Sequence, residues 1–200
     1  MTRHAKWCLI LLGALMITGW TGCRSVTPRV NYYVMTAVAQ PETHGHGGDI
    51  MHAPSVGLRT VEIPGYANRL QMVRQNGSNR LVIDDVHRWA DYPDRMVQRV
   101  IGENMRVLMA ERDVYNAPWP TGLKPERVVD ISILEMIATD DQTMRLTAVW
   151  TIDSGRDPKA VRSQRTTRAI DLKGSDFADL AEAHDRVLAL LSQAVADSLR

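Results

Sequence analysis

Two segments in which apolar residues occupy every second position restrict the fold of this chain more than any other feature. They span residues 129–133 and 144–152, and the second places Trp150 on its apolar side. A period of two is typical of a β-strand that buries one face. Residues 140–142, Asp-Asp-Gln, leave only a tight link between the two segments. The sequence therefore predicts two strands with apolar faces in the core, and it places Trp150 on the buried side.

Other segments predict further strands, at residues 30–35, 57–63, 69–75, 80–83 and 160–172. Asn76-Gly77-Ser78-Asn79 favours a hairpin turn, because Asn and Gly tolerate positive φ angles. The segment 160–172 is polar on both faces, which predicts an edge strand. Residues 36–56 lack periodicity and are rich in Pro, His and Gly, which predicts a flexible loop.

Two helices are predicted from apolar residues at helical spacing. Pro93 and Asp94 mark the start of the first, which is expected to run for about 16 residues. Ser175 or Asp176 can cap the second helix. Its apolar stripe consists of Phe177, Leu180, Ala181, His184, Leu188, Leu191 and Val195. Strands separated by two such helices predict an α+β fold, with a mostly antiparallel sheet and both helices packed on one face in two layers.

The N-terminus has the composition of a signal peptide. Arg3 and Lys6 precede an apolar run over residues 7–17, which is shorter than the roughly 20 residues that span a membrane. Small residues and then Cys23 follow. This pattern resembles the lipobox of bacterial lipoproteins, in which the cysteine is diacylglycerated and the chain is cut just before it. Trp20 stands where leucine is usual in that motif. An ordinary secretory signal cut in the same region and an uncleaved anchor are the two alternatives.

Lipidation at Cys23 would divide the chain into three parts: a signal peptide (1–22), a lipidated tether (23–29) and a single α+β domain (30–200). By resemblance to other lipoproteins, the acyl chains, palmitate among them, hold the protein on a membrane. Arg24 follows the cysteine where aspartate would favour the inner membrane, which implies an outer-membrane anchor facing the periplasm. Cys8 leaves with the signal peptide, so one cysteine remains and no disulfide is expected.

The charge balance excludes one class of partner. Arg3 and Lys6 leave with the signal peptide, so 22 of the 24 basic residues remain against 23 acidic ones. A near-neutral protein has no general electrostatic attraction for nucleic acid, so we expect no nucleic-acid partner.

A His-rich stretch and a basic stretch are the first candidates for chemistry. His44, His46, Asp49 and His52 include Zn²⁺ or Cu²⁺ ligand types, but their spacing matches no closed ligand set, which favours a solvated loop without metal. The basic residues are Arg156, Lys159, Arg162, Arg165 and Arg168. They indicate an edge strand protected by charge, with contact to anionic lipid or an acidic partner as the alternative.

His87 beside Asp84 and Asp85 superficially suggests acid–base catalysis. The sequence has no nucleophile elbow and no glycine-rich phosphate loop, which argues against a hydrolase. We therefore expect no enzymatic activity and no cofactor, and we interpret these three residues as a turn and an approach to the first helix.

Several short motifs follow one another in a specific order. They are Tyr32-Tyr33-Val34-Met35, Val61-Glu62-Ile63-Pro64-Gly65-Tyr66, Arg69-Leu70-Gln71-Met72-Val73, Asn79-Arg80-Leu81, His87-Arg88-Trp89-Ala90, Pro118-Trp119-Pro120 and Leu146-Thr147-Ala148-Val149-Trp150. Together they resemble the PqiC-type auxiliary lipoproteins of ABC-type and MCE lipid-transport systems, over nearly all of the chain after Cys23. The His-rich insertion and Asp91-Tyr92-Pro93 depart from that pattern.

The resemblance implies a non-enzymatic lipoprotein that docks the far end of an MCE tunnel at the outer membrane and supports membrane integrity. Its implied partners are an MCE-type tunnel protein and the associated ABC transporter components, and a homo-oligomer is compatible with this role. The family-matching residues are Tyr66, Arg69, Gln71, Arg88 and Trp89. They either contact the partner or pack the sheet against the first helix. The alternative function is a structural or assembly lipoprotein of the outer membrane that is unrelated to transport.

Overall fold

The computed structural model describes residues 28–41, 53–153 and 161–200, and within those ranges it contains eight strands and two α-helices. The strands are β1 (Asn31–Tyr33), β2 (Val56–Glu62), β3 (Gln71–Asn76), β4 (Arg80–Trp89), β5 (Val114–Asn116), β6 (Arg127–Ala138), β7 (Thr143–Asp153) and β8 (Arg162–Asp171). The helices are α1 (Pro93–Leu108) and α2 (Phe177–Leu199). Cys23, the His-rich residues 42–52, and Arg156 with Lys159 lie outside the described residues.

The two alternating segments form the paired strands β6 and β7, so the prediction of two strands joined by a tight link is confirmed. β6 pairs antiparallel with β7 from Val128 to Ala138, and Gln142 in the link adopts a positive φ of 59°. Trp150 is 2% exposed and its Nε1 donates a hydrogen bond to Ser198 Oγ of α2 at 3.1 Å. The alternation thus identified the core face of these strands correctly, because one face of each strand packs against the helical layer.

The sheet is mixed, so the prediction of a mostly antiparallel sheet was wrong. β2 and β3 both lie parallel to β6, β5 lies parallel to β2, and β1 lies parallel to β4. The antiparallel pairs are β3–β4, β6–β7 and β7–β8. Alternation indicates which face of a strand is buried, but the direction of its neighbour depends on the path of the connection, which the pattern does not encode.

The sheet also curls around α2 and does not form one flat layer. On one side of the sheet, the ring of His87 in β4 stacks on Phe177 of α2 at 4.0 Å. On the other side, β8 contacts the same helix, and Arg186 Nη1 donates to Asp171 O at 3.1 Å. Strands from distant parts of the strand order, β4 and β8, therefore contact the same helix. The sheet wraps around α2, so the predicted arrangement of two layers was wrong.

Both predicted helices are present, so the α+β class is confirmed. α1 begins at Pro93 and contains 16 residues, in agreement with the predicted length. Asp176 caps α2 through a capping box with Asp179, whose backbone N–H donates to Asp176 Oδ1 at 2.8 Å. The predicted stripe faces inward, and six of its seven residues are buried while Phe177 is half-buried.

Two local predictions needed correction. Asp84, Asp85 and His87 were expected to form a turn and an approach to α1, yet they lie within β4, which continues as far as Trp89. The short strand β5, which Pro118 and Pro120 follow closely, was not among the predicted strands. Both strands pair with distant neighbours, so their existence depends on contacts that short-range patterns do not reveal.

Candidate functional site

The family-matching residues lie at the junction of β3, β4 and the two helices. Tyr66, Gln71 and Trp89 line one narrow cleft, together with Met35, Ala67, Val73, Pro93, Met136 and His184. Arg88 pairs in register with Gln71 across β3 and β4, and Arg69 lies two residues before β3. The cleft has a volume of about 10 Å³, which is room for about one water molecule. These residues therefore meet in space but enclose no ligand-sized cavity.

Trp89 packs the sheet onto the second helix. Its side chain is 4% exposed and makes an edge contact with the ring of His184, with centroids 5.0 Å apart. Its backbone N–H donates to Leu70 O at 2.7 Å. Burial lowers the pKa of His184 to about 4, so the imidazole is neutral at physiological pH and its Nδ1 donates to Leu180 O at 2.8 Å. Trp89 and His184 thus form an apolar contact without a charge between β4 and α2.

Tyr66 connects this cleft to the surface. Its hydroxyl oxygen accepts a hydrogen bond from Met136 N in β6 at 3.2 Å, and burial raises the pKa of the phenol. The same residue lines an open groove of about 480 Å³. Tyr66 therefore belongs both to the packed junction and to the wall of an accessible groove.

The groove runs between the β3–β4 hairpin and the outer side of β6. Its walls are Tyr66, Gln75, Ser78, Asn79, Leu81, Leu134, Glu135 and Ile137. Leu81 is 41% exposed and Leu134 is 50% exposed. Ile83 is 43% exposed and lies on the same face of β4 as Leu81, because alternate residues of a strand share a face. Apolar side chains grouped in this way beside a groove are characteristic of interaction surfaces.

The two arginines among the family-matching residues, Arg69 and Arg88, make few side-chain hydrogen bonds within the described residues. Arg88 Nε donates to Asp85 O at 2.9 Å. Arg69 Nε is buried and has no hydrogen-bond partner among the described residues. The geometry therefore assigns packing roles to Tyr66 and Trp89, whereas Arg69 and Arg88 do not line the cleft.

The Asp84–His87 pair stabilises a bulge in β4. Asp84 Oδ1 accepts from Val86 N at 2.9 Å, from His87 N at 2.8 Å and lies 2.8 Å from His87 Nδ1. Burial acts to raise the pKa of Asp84, but hydrogen bonds from His87 and from the backbone lower it below its usual value. The face of the His87 ring stacks on Phe177. The pair thus fixes the strand against the N-terminus of α2, and its contacts are structural.

The sequence did not reveal that Asp185 and Asn104 together hold the segment after β1, and we call this pair of side chains the clamp. Thr36 donates to Asp185 through its backbone N–H at 2.8 Å and through Oγ1 at 2.7 Å. Val38 N and Ala39 N both donate to Asn104 Oδ1 at 3.0 Å. Asn104 is 0% exposed and Asp185 is 7% exposed, so both helices contribute a buried polar side chain to this segment. The detectable signal was a polar residue in or beside the apolar stripe of each helix.

Residues 36–39 lie within the segment that was predicted to form a flexible loop, and they are hydrogen-bonded to both helices. We call residues 35–39 the arm. Met35 at its start is fully buried, and its carbonyl accepts from Arg99 Nη2 at 2.6 Å. The arm therefore joins the N-terminal end of the domain directly to α1 and α2.

Two further properties concern only the part of the chain that the structure describes. It contains no group of three or more His, Cys, Asp or Glu side chains arranged to hold a metal ion. Neither α1 nor α2 has the length and hydropathy that crossing a membrane requires.

Comparison with known proteins identifies both a fold and a family. No curated protein matches the sequence. An uncharacterized protein of known crystal structure is 12% identical, with a TM-score of 0.69 over 86% of this chain and 100% of its own. Protein XCC0632 from Xanthomonas campestris is 10% identical, with a TM-score of 0.66 over 84% of this chain and 93% of its own. At such identities these two structures show the fold alone. Residues 33–196 match the family described as "ABC-type transport auxiliary lipoprotein component".

Proposed function

The chain belongs to the family of ABC-type transport auxiliary lipoprotein components, and on that premise we propose that it docks an MCE-type tunnel protein at the outer membrane. The family match carries this proposal, because it extends over residues 33–196 and so includes both helices nearly to the end of α2. The lipobox-like segment that ends at Cys23 lies just before the matched range. An N-terminal anchor followed by one binding domain is the arrangement that such a role requires.

We assign the docking surface to the groove beside the β3–β4 hairpin. Leu81 and Leu134 give it exposed apolar side chains, Tyr66 forms part of its wall, and the exposed Ile83 lies on the same face of β4 as Leu81. Interface centres are depleted in charged residues and enriched in aromatic ones. The family-matching Tyr66 lines this groove and Trp89 packs the junction behind it, so the family likeness supports the same region.

Site-directed crosslinking in cells tests this assignment. A photoreactive amino acid at Leu134 is expected to give a crosslinked product that contains the MCE-type tunnel protein of the same organism. The same amino acid at Leu190, which is 39% exposed on α2, is the matched control and is expected to give no such product. Identical products at the two positions would show that the contact is not specific to the groove.

A genetic experiment tests the function itself. Deletion of the gene is expected to increase sensitivity to membrane-active agents, and Leu134→Glu is expected to reproduce part of that effect whereas Leu190→Glu does not. If crosslinking yields no tunnel protein and deletion leaves sensitivity unchanged, the transport role is refuted. A structural or assembly role in the outer membrane would then be the better explanation.

A further inference from the structure

The C-terminal ends of both helices meet at one end of the molecule. Arg112 Nη1 donates to Leu199 O at 2.9 Å, and Arg200 Nη2 donates to Leu108 O at 3.4 Å. Leu108 and Leu199 are the last residues of α1 and α2. Arginines here satisfy terminal carbonyl groups and complement the negative ends of the helix dipoles.

A cleft with a cationic wall opens at this same end. It has a volume of about 180 Å³ and is lined by Arg127, Ile152, Arg162, Ser198, Leu199 and Arg200. Arg127 and Arg162 are the first residues of β6 and β8, and Ile152 lies near the end of β7. Three strand ends and the end of α2 therefore bring three guanidinium groups to one small opening.

Helix capping does not account for all three arginines. Arg200 Nη1 pairs with Asp197 Oδ1 at 3.1 Å, and its Nη2 reaches the end of α1. In contrast, no residue within 28–41, 53–153 or 161–200 makes a side-chain hydrogen bond or ion pair with Arg127 or Arg162. Toward the described residues, these two guanidinium groups therefore have unused N–H donors beside one cleft, which favours an anionic ligand.

The lining indicates which anion fits. Guanidinium groups match phosphate geometry through paired N–H donors. The apolar side chains of Ile152 and Leu199 line the same cleft, so the ligand combines an anionic group with hydrocarbon. Pockets for whole drug-sized molecules measure roughly 300–1,000 Å³, and this cleft is smaller, which suits a headgroup rather than an entire lipid.

We propose that this cleft, lined by Arg127, Arg162 and Arg200, binds the phosphate headgroup of an anionic phospholipid. The cleft itself supports an anionic group that accepts paired guanidinium N–H donors, whereas the lipid source rests on the proposed function in lipid transport. The cleft would then hold a lipid by its headgroup while the acyl chains remain outside. Free phosphate has the same charged chemistry, so the experiment compares the two sources.

The test uses the full chain reconstituted in phosphatidylcholine nanodiscs and isothermal titration with two probes. One probe is a short-chain phosphatidylglycerol, and the other is inorganic phosphate. The double variant Arg127→Gln/Arg162→Gln removes the two cations that have no side-chain partner among the described residues. The matched control Arg80→Gln/Arg95→Gln removes two exposed arginines from β4 and from the start of α1, so it changes the net charge equally. Partitioning of the lipid into the disc is the same for both variants.

Phosphatidylglycerol is expected to bind the wild-type protein saturably. Its affinity for the cleft variant is expected to be at least tenfold lower, and its affinity for the control variant is expected to be within twofold of the wild-type value. Binding that weakens equally in both variants would reflect net charge alone and would overturn the site. Inorganic phosphate that binds as tightly as the lipid would overturn the lipid assignment, and an absence of saturable binding would overturn both. None of these results depends on a tunnel protein, so failure here is distinguishable from failure of the docking role.

Discussion

The clamp on the arm leads to a stability prediction that can be worked out from the structure. Asp185→Ala removes the acceptor of two hydrogen bonds from Thr36, at 2.8 and 2.7 Å. A hydrogen bond to a charged group contributes about 1.5–3 kcal/mol. Two such bonds set an upper limit of about 6 kcal/mol on the loss of unfolding free energy. Thr36 is exposed, so water can replace part of what is lost, and the buried carboxylate itself carries a desolvation cost. We therefore expect the free energy of unfolding to fall by about 2 kcal/mol.

The same carboxylate gives a pH dependence of known sign. Burial raises the pKa of Asp185 above its ordinary value of 3.8, although hydrogen bonds from Thr36 offset part of the rise. Between 3.8, the pKa of Asp185 in the unfolded state, and its raised pKa in the folded state, the folded state binds the carboxyl proton more tightly. The contribution of Asp185 to stability therefore decreases as pH rises from 3.8 through the raised pKa, and it is constant above that. Asp185→Asn is expected to remove this decrease and to keep stability at neutral pH within about 1 kcal/mol of the wild type.

Urea denaturation of the form that begins at Ser25 measures both effects. A double-mutant cycle of Asp185→Ala with Thr36→Ala isolates the coupling between the two side chains. Asp197→Asn changes an exposed carboxylate on the same helix and serves as the matched control. If Asp185→Ala costs less than about 0.5 kcal/mol, or if the cycle gives no coupling, the arm is not held by this clamp.

Three further predictions address the anchor, the His-rich segment and the core. Cys23→Ser should leave an uncleaved precursor that incorporates no radiolabelled palmitate, and retained label would refute lipidation at Cys23. Removal of residues 42–53 should lower the melting temperature by less than about 5 °C, and a larger decrease would show that this segment packs against the domain. Trp150→Ala should lower the free energy of unfolding by about 3–5 kcal/mol, because the indole is buried and donates a hydrogen bond to Ser198. A loss below about 1.5 kcal/mol in urea titrations would contradict the buried position of Trp150.

The sequence by itself determined the pieces that depend on short-range patterns. The alternation over residues 144–152 predicted which side of β7 is buried, and the stripe from Leu180 to Val195 predicted the inward face of α2. Asp176 was recognisable as a cap because its side chain can bond the amide group three residues later. The family likeness was also present in the sequence, since it consists of motifs in a fixed order. Each of these signals involves residues that are neighbours along the chain or are read in chain order.

Only the tertiary structure decided the features that join distant residues. Parallel pairing of β2 with β6, the curl of the sheet around α2, and the meeting of Arg127 with Arg162 all depend on how the connections run. The roles of Asn104 and Asp185 are the clearest case. Each was visible as a polar residue in or beside an apolar stripe, but their partners lie 65 or more residues away in the arm. Most buried polar groups are hydrogen-bonded, yet the sequence does not state by which partner, because that choice is made when the elements pack.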